Sequence, residues 1–156
     1  MALYLVRHAK AGQRNRWDGP DHLRPLTRAG LAQAQALASW LVNEPVSRIL
    51  SSPYTRCIET VEPLGEKLDL TIEITEALSE ATPFEPALEL LATLPDHSVL
   101  CSHGDLIPDV MEALARRGTV IDGTADWRKG STWVLTRDDG TIVRARAVPP
   151  PDADPA

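Results

Sequence analysis

The residues best suited to chemistry are two histidines that each follow a short apolar run. His8 comes after Arg7 at the end of residues 3–6, and His103 follows residues 99–101. Continuous short apolar runs are typical of strands buried on both faces of a parallel sheet. The carboxyl ends of such strands meet at one edge of the sheet, where ligand sites lie. We therefore expect His8 and His103 to lie close together at that edge.

Two arginines are predicted to join the histidines. Arg7 precedes His8, and Arg56 lies in the first turn of a helix predicted to begin at Pro53 with Ser52 as its N-cap. Guanidinium groups bind phosphate oxygens bidentately, and a helix N-terminus adds oriented N–H donors. Together these groups predict a phosphate site.

The same residues could transfer a phosphoryl group. Neighbouring arginines should lower the pKa of His8 and keep its imidazole neutral. A neutral imidazole can attack phosphorus and form a phosphohistidine, while the guanidinium groups and His103 stabilise the transferring phosphoryl. The leaving oxygen then needs a proton. Glu80 is the candidate general acid, and Glu76 is the alternative by position.

The charge distribution favours an anionic ligand but not nucleic acid. The chain has 16 basic and 22 acidic side chains, a net charge of −6, which disfavours a general nucleic-acid partner. Residues 7–28 nevertheless hold six basic residues against two acidic ones. A basic segment in an acidic protein can focus an anionic ligand.

Membrane and metal chemistry are not expected. No apolar stretch reaches the roughly 18 to 20 residues of a membrane span, and no secretory signal is visible, so we expect a cytoplasmic protein with no membrane partner. Cys57 and Cys101 are expected to be free thiols. The sequence contains no HExxH and no paired CxxC, so no metal or other cofactor is predicted.

Alternating strand and helix patterns predict one α/β domain, a three-layer α/β/α sandwich around a mainly parallel sheet. Residues 149–156 are predicted to form a flexible Pro-rich tail. A first helix is predicted after an N-cap at Thr27, with Leu31 and Leu37 on its buried face. The predicted strands are 3–6, 48–51, 71–74 and 98–101, followed by a hairpin of 131–136 and 141–147. The helix that begins at Pro53 is predicted to run to about residue 68, and two more helices are predicted over 86–94 and 105–117.

Four sequence blocks resemble the histidine phosphatase superfamily, also called phosphoglycerate mutase-like. The blocks are LVRHA at residues 5–9, LSSPYTRCIET at 50–60, LSE at 78–80 and SHG at 102–104. The resemblance implies one histidine phosphatase domain over residues 1–148. It also implies that His8 is the phosphorylated nucleophile, that Arg7, Arg56 and His103 bind phosphate, and that Glu80 donates a proton.

The resemblance is strongest to short phosphohistidine phosphatases, and also to the phosphatase domain attached to actinobacterial nudix hydrolases. It implies a metal-independent phosphoric monoester hydrolase rather than a mutase. The expected substrate is either protein phosphohistidine or a small phosphomonoester or nucleotide, and a separate nudix hydrolase is a candidate partner. The alternative is a non-catalytic module that binds phosphate or a phosphoprotein.

Overall fold

The computed structural model describes residues 1–151, and these form seven strands and four α-helices. Short 3₁₀ turns also occur at Arg14–Arg16, Asp21–Leu23 and Glu76–Leu78. The strands are β1 (Ala2–Arg7), β2 (Ile49–Ser51), β3 (Ile72–Ile74), β4 (Val99–Ser102), β5 (Val120–Asp122), β6 (Thr132–Asp138) and β7 (Thr141–Val148). The helices are α1 (Arg28–Leu41), α2 (Thr55–Leu68), α3 (Glu85–Thr93) and α4 (Leu106–Arg116).

All seven strands form one sheet in the order β3-β2-β4-β1-β6-β7-β5. Strands β3, β2, β4 and β1 are parallel, β6 is antiparallel to both β1 and β7, and β5 is parallel to β7. The carboxyl ends of β1, β2 and β4 therefore lie side by side. The predicted mainly parallel α/β architecture is confirmed.

Two apolar layers hold the sheet between the helices. Leu3 and Leu5 of β1 point into a cluster with α3 and α4 residues, while Tyr4 and Val6 point into a cluster with α1 and α2 residues. This alternation follows from the two-residue period of a strand. It explains why the predicted strand reads as a continuous apolar run, since both faces of the sheet are covered.

The start of α2 differs from the prediction. The helix begins at Thr55 with Tyr54 as its N-cap, so Pro53 lies outside it and Ser52 is not its N-cap. The Ser52 hydroxyl instead accepts a hydrogen bond from the Tyr54 N–H and contacts His103. Pro63 does not end the helix, whose buried side chains pack on both sides of that position.

The structure also departs from the predictions in the buried face of α1 and in strand β5. Leu31 is 47% exposed, and Gly30 and Gln33 take its place on the buried face of α1. The Gln33 amide oxygen accepts from the Lys10 N–H, because this face packs against the loop after β1. Strand β5 was not predicted, since it has only three residues. Residues 152–156 of the predicted tail lie outside the described residues.

Within residues 1–151, no helix is both long enough and apolar enough to span a membrane.

Candidate active site

The predicted site residues converge at the carboxyl edge of the sheet. Arg7 pairs with Ser102 in the β1–β4 register, so the residues that follow these strands emerge next to each other. The ring centroids of His8 and His103 are 5.5 Å apart. An open cleft of about 390 Å³, the cationic cleft, is lined by residues that include Arg7, His8, Arg14, Arg24, Arg56, Glu80 and Lys129.

His8 is held as a neutral ring with one free nitrogen. Its Nδ1 lies 2.8 Å from the Ala9 carbonyl oxygen, which can only accept, so Nδ1 carries the proton. The lone pair of Nε2 is then available for attack on phosphorus. Burial lowers the pKa of His8 to about 3, with smaller contributions from His103, Arg56 and Arg7. The predicted direction is thus confirmed, but desolvation contributes more than the arginines.

The His103 ring is oriented by two neighbouring side chains, Ser52 and Cys57. Its Nε2 lies 2.8 Å from the Ser52 hydroxyl and 3.5 Å from Cys57 Sγ. Its Nδ1 is buried and has no hydrogen-bond partner among residues 1–151. Buried polar nitrogens without partners are uncommon in folded proteins. A bound anion next to His8 would supply the missing acceptor.

Arg7 and Arg56 each keep a buried guanidinium nitrogen without a partner among the described residues. Arg56 is 1% exposed, and its terminal nitrogens donate to Asp21 and Glu80. Arg7 donates through Nη1 to the Trp127 carbonyl oxygen. The Nε atoms of both arginines are buried without a partner in the described chain. With His103 Nδ1, three buried nitrogens near this edge of the sheet have no hydrogen-bond partner within residues 1–151.

The absence of a side chain at Gly104 leaves room for the Arg7 guanidinium group. A Cβ atom at residue 104 would lie 2.5 Å from Cζ of Arg7, well inside van der Waals contact. The guanidinium group thus packs directly on the backbone that follows His103. The sequence SHG at residues 102–104 supplies both the imidazole and this close approach.

The two candidate acids occupy different places. Glu80 lines the cationic cleft, and its Oε1 accepts from Arg14 at 2.7 Å and from Arg56 at 3.4 Å. Glu76 is exposed, does not line the cleft, and accepts a hydrogen bond from Ser79. The geometry therefore favours Glu80 over Glu76 as the candidate acid.

Asp21 is a member of the site that was not predicted. Its carboxylate contacts Arg14 at 3.2 Å, Arg24 at 3.1 Å and Arg56 at 3.1 Å. Burial alone would raise the pKa of Asp21, but these arginines hold it below its ordinary value. The basic composition of residues 7–28 was the available signal. A carboxylate that organises those basic residues has no sequence pattern of its own.

Positive charge is concentrated in the cleft. Lys129 lines it, and burial together with Arg7, Arg24 and Arg56 lowers the lysine pKa. The same positive charges disfavour one another in the absence of an anion. A phosphate group would relieve this repulsion. Within residues 1–151, no group of three or more His, Cys, Asp or Glu side chains is arranged to hold a metal ion.

Comparison with known proteins places the chain in a family. The sequence model of the histidine phosphatase superfamily (branch 1) matches residues 3–83. The chain belongs to the histidine phosphatase superfamily. The family predicted from the four sequence blocks is therefore confirmed.

Two curated relatives and one solved structure show the range of this likeness. The chain is 38% identical over 156 residues to an 8-oxo-(d)GTP phosphatase of Mycolicibacterium smegmatis, covering 96% of this chain and 48% of that protein. It is 34% identical over 85 residues to the phosphohistidine phosphatase SixA of Escherichia coli, covering 53% of this chain and 50% of that protein. The chain thus spans about half the length of these relatives.

The fold is also shared with a solved protein histidine phosphatase SixA complexed with tungstate. The TM-score is 0.74 at 23% identity, over 90% of this chain and 92% of that one. This likeness confirms that the three-layer fold is phosphoglycerate mutase-like.

Proposed function

We propose that this histidine phosphatase superfamily member hydrolyses phosphate esters or phosphohistidine through a covalent intermediate on Nε2 of His8. One observation carries the proposal: a neutral His8 with a free Nε2 lines the same cleft as Arg7 and Arg56, its ring is 5.5 Å from that of His103, and each of these three neighbours keeps a buried nitrogen with no partner within residues 1–151. A nucleophile and unpaired donors at one point are the arrangement that phosphoryl transfer requires.

The reaction would proceed in two displacements. In the first, Nε2 of His8 attacks phosphorus, the bond to the leaving group breaks, and the leaving group takes a proton from Glu80 when it needs one. In the second, water attacks the phosphohistidine and gives a proton to Glu80, which releases inorganic phosphate and restores His8. Arg7, Arg56 and His103 would stabilise the negative charge on the phosphoryl oxygens in both steps.

We propose that the reaction does not need a metal ion. Five basic side chains line the cationic cleft, and guanidinium groups can neutralise phosphoryl oxygens as a divalent cation does elsewhere. Hydrolysis should therefore continue in excess EDTA. Loss of activity in EDTA that added Mg²⁺ restores would overturn this part of the proposal.

Two substrate classes are supported by the relatives. One relative is named for phosphohistidine and the other for a nucleotide. We propose a phosphohistidine protein or a phosphorylated small molecule as the partner of the cleft, with a separate nudix hydrolase as a candidate supplier of the small molecule. A non-catalytic phosphate-binding module would hold the same anion without forming a covalent intermediate.

Trapping the phosphorylated enzyme tests the proposal. Wild type, His8→Ala and His22→Ala are mixed with a ³²P-labelled phosphate ester and quenched, and the label on the protein is counted. His22 is exposed and serves as the matched histidine control. We expect acid-labile, base-stable label on wild type and His22→Ala but none on folded His8→Ala. Equal label on His8→Ala would overturn the assignment, and no label or turnover in wild type would favour the binding module.

A further inference from the structure

An apolar groove lies beside the cationic cleft. Its volume is about 550 Å³, within the range of small-molecule sites. It lies between α4 and the segment that runs from β5 to the start of β6. The residues that line it include Pro108, Met111, Ile121, Ala125, Trp127 and Trp133.

The groove and the cleft are neighbours, with a small cavity between them. Arg7 and Gly104 line both the cationic cleft and a small cavity next to it, while Trp127 and Trp133 line both that cavity and the groove. Arg7 also donates to the Trp127 carbonyl oxygen at 2.5 Å. A molecule with its phosphate on Arg7 would therefore extend towards the tryptophans.

The wall of the groove is aromatic. Trp127 is 41% exposed, whereas Trp133 is 2% exposed, and their ring centroids are 5.3 Å apart. Flat rings stack well on indole. Trp133 Nε1 is buried and has no acceptor among the described residues. A heteroaromatic ring could supply both the stacking face and the acceptor.

The loop that carries Trp127 is fixed to the site. The Gly130 N–H donates to the carbonyl oxygens of Arg7 and His8, at 3.2 Å and 3.0 Å. Asp126 forms an ion pair with Arg128 in the same loop. The position of the tryptophan is thus coupled to the end of β1, which holds the phosphate-binding residues.

We propose that this groove binds the heteroaromatic ring of the leaving group, so that the substrate class is a nucleotide rather than a phosphohistidine protein. The inference rests on the proposed function and adds the ring subsite formed by Trp127 and Trp133. A sugar phosphate without a base would use only the cationic cleft. A nucleotide would use both surfaces, and the base would contribute binding free energy through stacking.

The test compares substrates that differ only in the base. Ribose 5-phosphate, AMP and GMP are hydrolysed by wild type, Trp127→Ala, Trp127→Phe and the surface control Leu31→Ala. We expect wild type and Leu31→Ala to prefer the nucleotides in kcat/KM. Trp127→Ala should lose about 5- to 100-fold on AMP and GMP, mainly through KM, and less than twofold on ribose 5-phosphate. Trp127→Phe should retain most of the preference, since a phenyl ring still stacks on the base. The backbone carbonyl that holds Arg7 is unchanged in both variants, so hydrolysis of ribose 5-phosphate should change little.

Two results would overturn the subsite. One is an equal kcat/KM of the wild-type enzyme for ribose 5-phosphate, AMP and GMP. The other is a Trp127→Ala variant whose kcat/KM falls by the same factor on all three substrates. Calorimetric titration of His8→Ala with AMP and ribose 5-phosphate measures binding without turnover. Tighter binding of AMP than of ribose 5-phosphate, lost when Trp127→Ala is added to His8→Ala, would support the subsite even if the wild-type protein hydrolysed neither compound. Absence of turnover in the wild-type protein would count against the proposed function and not against the subsite.

Discussion

The Ser52 hydroxyl and Nε2 of His103 lie 2.8 Å apart in a fully buried contact. Ser52 Oγ also accepts the Tyr54 N–H at 3.2 Å, so its own hydrogen is free to donate to Nε2. That arrangement puts the ring proton of a neutral His103 on Nδ1, the nitrogen without a partner within residues 1–151. We therefore expect Ser52 to orient His103 as a donor to the substrate phosphate.

Removing this hydroxyl should slow the reaction. In Ser52→Ala, His103 loses the contact that sets its tautomer, and we expect kcat to fall about 3- to 10-fold, the scale of one neutral hydrogen bond. Steady-state kinetics checks this, with Ser51→Ala as the control. Ser51 is equally buried, but its hydroxyl donates to the Ser52 carbonyl oxygen. Equal losses in the two variants would show that the effect is structural.

The buried neutral His8 should make stability depend on pH. Its pKa is about 3 in the folded protein and about 6.5 when unfolded. Between these values the unfolded chain binds more protons, so the free energy of unfolding falls as the pH falls below 6.5. By pH 4.5 this amounts to about 2 to 3 kcal/mol. Urea unfolding at pH 7 and pH 4.5 should show that His8→Gln loses this part of the acid dependence.

The exposed His22 provides the comparison for that experiment. His22→Gln should retain the wild-type difference in unfolding free energy between pH 7 and pH 4.5, since it leaves the His8 ring in place. If His8→Gln and wild type were destabilised equally by acid, the ring would be protonated in the folded protein at pH 4.5. That result would contradict a pKa of His8 lowered by burial.

Glu80 should matter according to the leaving group. An alkoxide needs a proton in the transition state, so Glu80→Gln should slow ribose 5-phosphate hydrolysis by about 10²- to 10⁴-fold. An aryl phosphate, whose phenolate leaves readily, should be slowed only a few-fold. Glu76→Gln is the matched control, because that carboxylate does not line the cleft. Equal slowing of both substrates by Glu80→Gln would mean that Glu80 acts by holding Arg14 and Arg56.

Asp21 should act by orienting the arginines. The substitution Asp21→Asn keeps the size of the side chain but removes the charge shared by Arg14, Arg24 and Arg56. We expect kcat/KM to fall about 10-fold, the lower end of the loss for a misplaced catalytic group. Asp18→Asn, in the same loop and exposed, should stay within twofold of wild type. An active Asp21→Asn enzyme would show that the cleft orders Arg56 without it.

The site residues that lie at the ends of strands could be predicted from the sequence. The apolar runs placed Arg7, His8 and His103 after strands, and parallel pairing of β1 with β4 brings those ends together. The sequence alone did not reveal that Ser52 contacts His103 instead of capping α2. A serine before a proline fits both roles locally, and only the packing of β4 beside β2 decides between them.

The amino-acid sequence by itself determined the layered α/β fold and the positions of the candidate nucleophile and phosphate ligands, because strand and helix periods are local properties of the chain. Tertiary structure alone decided that Asp21 joins the arginines and that Trp127 lies over Trp133 beside Arg7. Those residues lie in or next to irregular loops, where no period constrains direction. Some of these contacts join distant segments of the chain: Asp21 and Arg56 are 35 residues apart, and Arg7 and Trp127 are 120 residues apart.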